Sequence, residues 1–247
     1  MTEWSVGRAA GALLAAQDSG AALTAITGQW AGLDSAAARD VQDEVLRRRL
    51  ERGERLIGVA LRGEFTAWLT DAMLLAPGCA VPRDVLAQAQ AAPEIVAELG
   101  ERLAGPGVTW LSALAAVASV HAGVGITGSP YRDGPATLPD EIADNGSVRF
   151  VAAGPVARPA AGLNLELEAC LVEAGGQIVD SGTGAAAGGH PAAALAAAAN
   201  GLAERGLALE AGWLVFTGAM ASAVPLSPDA ELSAHFTTLG SIFLPTA

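Results

Sequence analysis

The chain has 247 residues, a net charge of −12 and 51% hydrophobic residues, much of that fraction being alanine. The acidic balance argues against nucleic-acid binding and against anionic membranes, because no basic stripe is present to neutralise phosphates. All 14 basic residues are arginine. The absence of lysine excludes Schiff-base catalysis and the lysine of a phosphate-binding P-loop.

We expect neither a membrane segment nor a targeting segment. No run approaches the roughly 20 consecutive large apolar residues of a membrane helix. Residues 1–7 contain Glu3 and no basic run, so we expect no signal peptide. These features favour a soluble cytoplasmic protein. Cys79 and Cys170 have no metal-ligand spacing, and we predict that both are buried thiols.

The first half of the chain changes from helical to strand-like patterns. Residues 3–17 predict an alanine-rich helix, and Asp34 or Ser35 is expected to cap a second helix. From Leu56 onward, short apolar runs alternate with Gly, Pro and Asp, which is typical of strands and turns. Residues 109–120 predict a further alanine-rich helix.

The second half is rich in predicted strands. Leucines alternating with polar residues predict a strand over 163–171, and Gly175-Gly176 predicts the hairpin turn after it. Residues 191–205 predict a helix that begins at a proline and ends before a glycine. Further strands are expected near 213–217 and 231–237.

This order of elements predicts an α+β fold and disfavours a Rossmann fold, because strands and helices do not alternate regularly. We expect an N-terminal helical segment over residues 1–55 and a β-rich domain over residues 56–247. His190 directly precedes the helix that opens at Pro191, so we predict that it caps that helix. His121 and His235 lack metal-ligand spacing and are interpreted as structural.

Several short segments occur in the order found in a known family. They are Val41–Asp43, Arg49–Gly53, Thr70–Leu75, Ile142–Asn145, Gly189–Pro191, Ala203–Gly206, Leu209–Gly212 and Thr217–Met220. Through them the chain resembles the 2-keto-4-pentenoate hydratase / 4-oxalocrotonate decarboxylase family of the fumarylacetoacetase-like superfamily. The resemblance implies a mixed β-sandwich or roll with an inserted helix, and assembly as a homo-oligomer.

The resemblance also implies a site in which three carboxylates hold magnesium or manganese and a lysine assists. In this chain Ala92-Pro93-Glu94 stands where the family has Glu-x-Glu, so only Glu94 is kept. Gly125 replaces the third Glu, and Ala60 replaces the lysine of a Gly-x-Lys-Leu/Ile-Gly segment. One carboxylate is too few for a cation that prefers about six oxygen ligands, so we expect no metal and no cofactor.

Two carboxylates, Asp71 and Glu94, are the catalytic candidates, as acids or bases whose pKa an apolar pocket would raise. Each also has a structural interpretation, as a hydrogen-bonded carboxylate in a turn. The substrate-binding candidates lie at or beside the altered segments: Ala60, Ala92, Gly125, Ser129, Tyr131, Arg132, Asn145, Ser147, Ala219 and Met220. Among these we favour loop anchoring for Asn145 and Ser147, and packing for Tyr131 and Met220.

Replacing charged side chains by alanine and glycine predicts a wider, more apolar cleft. Our hypothesis is a metal-independent cyclase, isomerase or lyase acting on a small apolar substrate, such as a polyketide-like intermediate in natural product biosynthesis. Two alternatives stay open. One is a non-catalytic structural partner of a homologous enzyme; the other is a metal-dependent 2-keto acid hydratase or decarboxylase with substitute ligands. Decay in an alanine-rich chain would produce the same replacements.

Overall fold

The computed structural model describes residues 4–76, 78–82, 89–228 and 231–246. The α-helices are α1 (Val6–Ser19), α2 (Ser35–Glu51), α3 (Trp110–Ala115), α4 (Leu138–Ala143) and α5 (Pro191–Ala203). The strands are β1 (Leu56–Arg62), β2 (Phe65–Thr70), β3 (Gln90–Leu99), β4 (Val117–Thr127), β5 (Val148–Ala153), β6 (Ala169–Ala174), β7 (Gln177–Thr183), β8 (Leu214–Ala219), β9 (Val224–Pro225), β10 (Glu231–Phe236) and β11 (Gly240–Pro245).

The strands form two sheets. The larger has the order β2-β1-β8-β3-β4-β5, with β9 paired to β3, and the smaller has the order β11-β10-β6-β7. The pairing of β1 with β8 is parallel, whereas the other pairs in the larger sheet are antiparallel. This mixed arrangement with separate helices confirms the predicted α+β class.

Four apolar clusters hold the described elements together, and three of them join the larger sheet to the smaller sheet or involve the helices. Side chains from β3 and β4, including Ile95 and Val124, pack against the smaller sheet through residues such as Val172 and Leu232. Helix α5 covers the larger sheet with Leu195 and other buried side chains. Helices α1 and α2 form a third cluster with α4 and the start of β2. Burial of these surfaces is the main force that stabilises the fold. Among the described residues, no helix has both the length and the apolar content to cross a membrane.

Local capping signals predicted the starts of α2 and α5 correctly. The Asp34 carboxylate accepts hydrogen bonds from the backbone N–H groups of Ala36 and Ala37 at the start of α2. His190 accepts one from the backbone N–H of Ala192 through Nδ1, which confirms its capping role for α5. The hairpin at Gly175-Gly176 also joins β6 to β7 as predicted, since both glycines have positive φ.

Two predicted elements were wrong in extent. The predicted helix over 109–120 ends at Ala115, because residues from Val117 pair with β3 over the length of β4. The predicted strand over 163–171 begins only at Ala169. Residues before it form a turn, and the buried Glu168 accepts hydrogen bonds from the backbone N–H groups of Thr238 and Leu239.

The two cysteines differ in environment. Cys170 is buried between the sheets, and burial raises the pKa of its thiol to about 11, as expected for an inert core cysteine. Cys79 is exposed, so the prediction that it is buried was wrong.

The parallel pairing of β1 with β8 depends on a glycine. A Cβ at Gly58 would lie 1.9 Å from the carbonyl oxygen of Leu214. The φ angle of Gly58 is +159°. We expect Gly58→Ala to lower the free energy of unfolding by about 2 kcal/mol or more, because overpacked backbone must shift. Gly201→Ala, inside α5 and with nothing within 4 Å, should instead raise it by about 1 kcal/mol. Urea unfolding of both variants measures the difference, and equal stabilities would contradict the account.

Candidate functional site

A cavity of about 1160 Å³ lies between the larger sheet and the helices α2 and α5. One wall is a row of small residues on α5, including Ala193, Ala194, Ala197 and Ala198. Lining residues with exposed acidic side chains are Asp40, Glu64 and Glu204. The cavity is therefore wide and mainly apolar on its α5 wall, and acidic residues contribute to its lining.

Glu94 of β3 lines the sheet side of the cavity and is 1% exposed. The register of β3 with β4 places Gly123 opposite Glu94 and Gly125 opposite Ala92. On its other side β3 pairs with β8, where Ala219 is the partner of Glu94. Ala92, Glu94, Gly125 and Ala219 all line the cavity, so the structure brings these four predicted site residues together.

Both carboxylate oxygens of Glu94 have protein partners. Oε1 lies 3.0 Å from Nη2 of Arg62, and Oε2 lies 3.4 Å from Nη1 of the same guanidinium. The backbone N–H of Gly218 donates to Oε2 at 3.0 Å. The side chain of Arg62 is only 14% exposed and that of Glu94 2%. This is an ion pair largely removed from solvent, so removing either partner would leave an uncompensated charge.

Arg62 is the functional candidate that the sequence reasoning missed. It lies at the end of β1, two residues after Ala60, and lines the cavity. In the segment Gly58-Val59-Ala60-Leu61-Arg62 it stands where the resembled motif ends in glycine. The sequence analysis considered Ala60, where the resembled motif has lysine, and did not consider the arginine two residues later, which places a positive charge at the end of the same strand.

Gly125 has no room for a side chain beside this ion pair. A Cβ there would lie 2.2 Å from Oε1 of Glu94 and 3.0 Å from Nη2 of Arg62. A larger residue would therefore displace the carboxylate or the guanidinium. The small residue and the ion pair are mutually required in the arrangement observed.

Glu94 and its surroundings do not fit a divalent cation. Within the described ranges, no group of three or more His, Cys, Asp or Glu residues is placed to hold a metal ion. The two positions that would supply further carboxylates in the resembled site are Ala92 and Gly125. The guanidinium of Arg62 lies against the carboxylate of Glu94. Magnesium demands several oxygen ligands in a near-octahedral arrangement, and this donor set does not provide them.

The second catalytic candidate, Asp71, lies outside the cavity lining. Its carboxylate accepts a hydrogen bond from the backbone N–H of Arg55 at 2.9 Å and pairs with the Arg55 side chain at 2.8 Å. The backbone hydrogen bond from Arg55, with the side-chain bond next, lowers the pKa of Asp71. The expectation of a raised pKa in an apolar pocket was therefore wrong, and the contacts are those of a structural carboxylate.

Several predicted substrate-binding residues lie in packed regions instead of lining the cavity. Ala60, Tyr131 and Met220 are 0%, 0% and 1% exposed. The Tyr131 hydroxyl donates to the carbonyl of Asp140, and burial raises its pKa. Ser129 accepts from the backbone N–H of Tyr131. Arg132, which is exposed, forms a backbone hydrogen bond to Leu23.

Asn145 and Ser147 have the contacts of anchoring residues. Asn145 Oδ1 accepts hydrogen bonds from the Gln42 side chain at 2.9 Å and the Trp68 backbone N–H at 2.7 Å. Its Nδ2 donates to the Trp68 carbonyl at 2.9 Å. Ser147 donates to the buried carboxyl group of Asp144 at 2.9 Å. These bonds tie the segment after α4 to α2 and β2, and neither residue lines the cavity.

The fold is that of the fumarylacetoacetase-like hydrolases, hydratases and decarboxylases. A fumarylacetoacetate hydrolase from Exiguobacterium antarcticum superposes with a TM-score of 0.57 at 15% identity, covering 78% of this chain and 75% of that one. A 4-oxalocrotonate decarboxylase from Pseudomonas putida G7, complexed with magnesium and adipate, superposes with a TM-score of 0.94 at 26% identity. The match covers 98% of this chain and 97% of that one.

Sequence relatives narrow this class. A 4-oxalocrotonate decarboxylase from a Pseudomonas species is 36% identical over 239 residues, covering 89% of this chain and 91% of the relative. A 2-hydroxyhexa-2,4-dienoate hydratase from Comamonas testosteroni is 34% identical over 197 residues, covering 73% and 74%. No protein-family model matches the sequence. The chain belongs to the 4-oxalocrotonate decarboxylase and 2-keto-4-pentenoate hydratase family.

The buried Asp144 makes stability depend on pH. Burial raises its pKa to about 7 from an ordinary 3.8, although hydrogen bonds from Ser147 and Gln17 and the nearby Arg149 act in the opposite direction. The folded state thus binds the proton more tightly than the unfolded chain. The stability from this group is complete below pH 3.8 and is lost as pH rises to about 7.

We expect Asp144→Asn, which keeps one acceptor oxygen and cannot ionise, to gain stability over wild type as pH rises. The gain between pH 5 and pH 8 should be about 2 kcal/mol, since each pKa unit corresponds to about 1.4 kcal/mol. Urea unfolding of both proteins at pH 5, 6, 7 and 8 measures it. A difference that stays constant across this range would show that Asp144 ionises normally.

Proposed function

We propose that the chain is a metal-independent enzyme of the hydratase/decarboxylase family, acting as a cyclase, an isomerase or a lyase. Its substrate is a small apolar organic molecule larger than a short keto diacid. The observation that carries the proposal is the buried Glu94–Arg62 ion pair beside a cavity of about 1160 Å³. It supplies a carboxylate for acid–base work and a cation for charge stabilisation in a site unsuited to a metal.

The α5 wall sets the kind of substrate. Small side chains such as Ala194 and Ala198 leave volume without offering hydrogen-bond partners. Apolar groups enter such a wall favourably because their burial removes apolar surface from water. The lining has five acidic residues and three arginines, a net charge of −2, which disfavours small dianions by like-charge repulsion.

Glu94 and Arg62 have complementary tasks in this proposal. The carboxylate removes a proton from a carbon next to a carbonyl group and returns it elsewhere. The guanidinium donates hydrogen bonds to the oxygen on which negative charge develops. The remaining cavity holds the substrate in a reactive conformation and excludes water.

A second function has one specific observation in its favour. The structural relative with a TM-score of 0.94 was obtained with magnesium and adipate. A metal-dependent hydratase or decarboxylase would have to recruit substitute ligands around Glu94, and Arg62 would have to leave the carboxylate. The two functions differ in whether a divalent cation binds.

The test is a thermal-shift titration with magnesium or manganese, each with and without oxalate, an enolate mimic of 2-oxo acids. A cation that binds only the folded state raises the midpoint by mass action, so millimolar metal should give a saturable rise if the metal-dependent function holds. For wild-type protein that was prepared free of metal, we expect no saturable rise of the unfolding midpoint on adding either cation.

The matched control is the double variant Ala92→Glu with Arg62→Gly, which restores one carboxylate and removes the competing cation. If its midpoint responds to manganese while that of wild type does not, the assay detects metal in this fold. A saturable, oxalate-dependent rise in wild type would overturn the proposed function.

A further inference from the structure

We propose that Arg62 takes over the role of the divalent cation, so that the site acts on enolisable apolar ketones and 1,3-dicarbonyl compounds. This inference rests on the proposed function and adds the residue that stabilises charge and the class of substrate. The resembled site uses a metal for this purpose, and here the guanidinium lies against the one carboxylate that is kept.

The geometry leaves Arg62 able to bind a substrate oxygen. Its described contacts are Nη1 with the Leu61 carbonyl at 2.9 Å and the two oxygens of Glu94. Nη1 donates to the Leu61 carbonyl and to Oε2, and Nη2 forms the ion pair with Oε1. Of the five guanidinium N–H groups, at least two therefore have no hydrogen-bond acceptor within the part of the chain that the structure describes and can serve an incoming one. The side chain also lines the cavity.

Arg62 is held in place by its neighbours. The Leu61 carbonyl and Glu94 fix the guanidinium from two sides, and Gly125 leaves the space that Nη2 occupies. A donor fixed before the reaction stabilises developing charge without further reorganisation. Arginine stays protonated at all physiological pH values, so its charge, like that of a metal ion, does not depend on pH.

The reaction step balances without any co-reactant. Glu94 takes a proton from the carbon between or beside the carbonyl groups, and that C–H electron pair forms a C=C bond. The carbonyl π pair moves onto oxygen, where Arg62 donates hydrogen bonds. Where the substrate has a C=C bond conjugated with this enolate, return of the proton from Glu94 to the far carbon of that bond completes an isomerisation. Where the substrate has a second carbonyl within reach, attack of the enolate carbon on it completes a cyclisation, with the proton going to the new alkoxide.

The experiment uses 1-phenylbutane-1,3-dione, an apolar diketone whose enolate absorbs at longer wavelength than its enol. Calorimetry measures its binding to the full chain in chelator-treated buffer, and absorbance titration against pH measures the apparent pKa of the bound diketone. We expect binding to lower this pKa by about one unit, because a neighbouring cation favours the charged form.

Variants then assign the effect to the ion pair. Arg62→Gln should still bind the diketone but should no longer lower its pKa. Arg62→Lys should lower the pKa in part, because the lysine ammonium supplies a point charge. Glu94→Gln should lower the pKa further, because a nearby negative charge is removed. Arg102→Gln, which breaks the exposed pair with Glu210, is the matched control and should leave the wild-type value.

Gly125→Ala provides a second route if Arg62→Gln does not fold. The added Cβ displaces the ion pair while keeping both charges, and it should reduce the pKa lowering. If wild type binds the diketone without changing its pKa, or if Arg62→Gln still lowers that pKa, the role of Arg62 is overturned. Either result remains compatible with an apolar binding cavity. Absence of binding, or a shift that appears only with magnesium, overturns the proposed function itself.

Discussion

The antiparallel register of β3 with β4 places Gly125 where any side chain would collide with Glu94, and the arrangement of the site depends on that empty space. Because position 125 has no Cβ, the guanidinium of Arg62 reaches Glu94 from β1 across the intervening strand β8. The backbone N–H of Gly218 on β8 completes the contacts of the carboxylate. A buried charge without such partners would destabilise the fold by several kcal/mol, so the ion pair is both a structural and a chemical element.

The chain combines the backbone of its family with a cavity that has the Glu94–Arg62 ion pair on its sheet side. The overlap with a decarboxylase at a TM-score of 0.94 shows that the backbone is retained. Beside Glu94 the cavity is lined by the small residues Ala92 and Gly125, and the positive charge next to the carboxylate comes from Arg62. Function depends on the residues of such sites and not on the fold alone. Family membership therefore defines the scaffold, whereas the reaction depends on the residues that line the cavity.

The sequence predicted the features that depend on local signals and on motif order. Capping by His190 and the α+β class followed from neighbouring residues or from the sequence of segments. The predictions were wrong where contacts between segments distant in sequence decide the local structure. The helix predicted over 109–120 gives way to β4 because β3 pairs with it, and Asp71 is held by Arg55, 16 residues away. The position of Arg62 was equally non-local, since its partner lies two strands away.

Manganese anomalous scattering from a crystal soaked in that cation tests the central claim most directly, because it locates the cation and the guanidinium in one experiment. The account predicts no manganese peak at Glu94 and the guanidinium of Arg62 within hydrogen-bonding distance of both carboxylate oxygens. A strong peak on Glu94, with Arg62 turned away and substitute ligands completing the coordination sphere, would contradict it and restore the metal-dependent reaction.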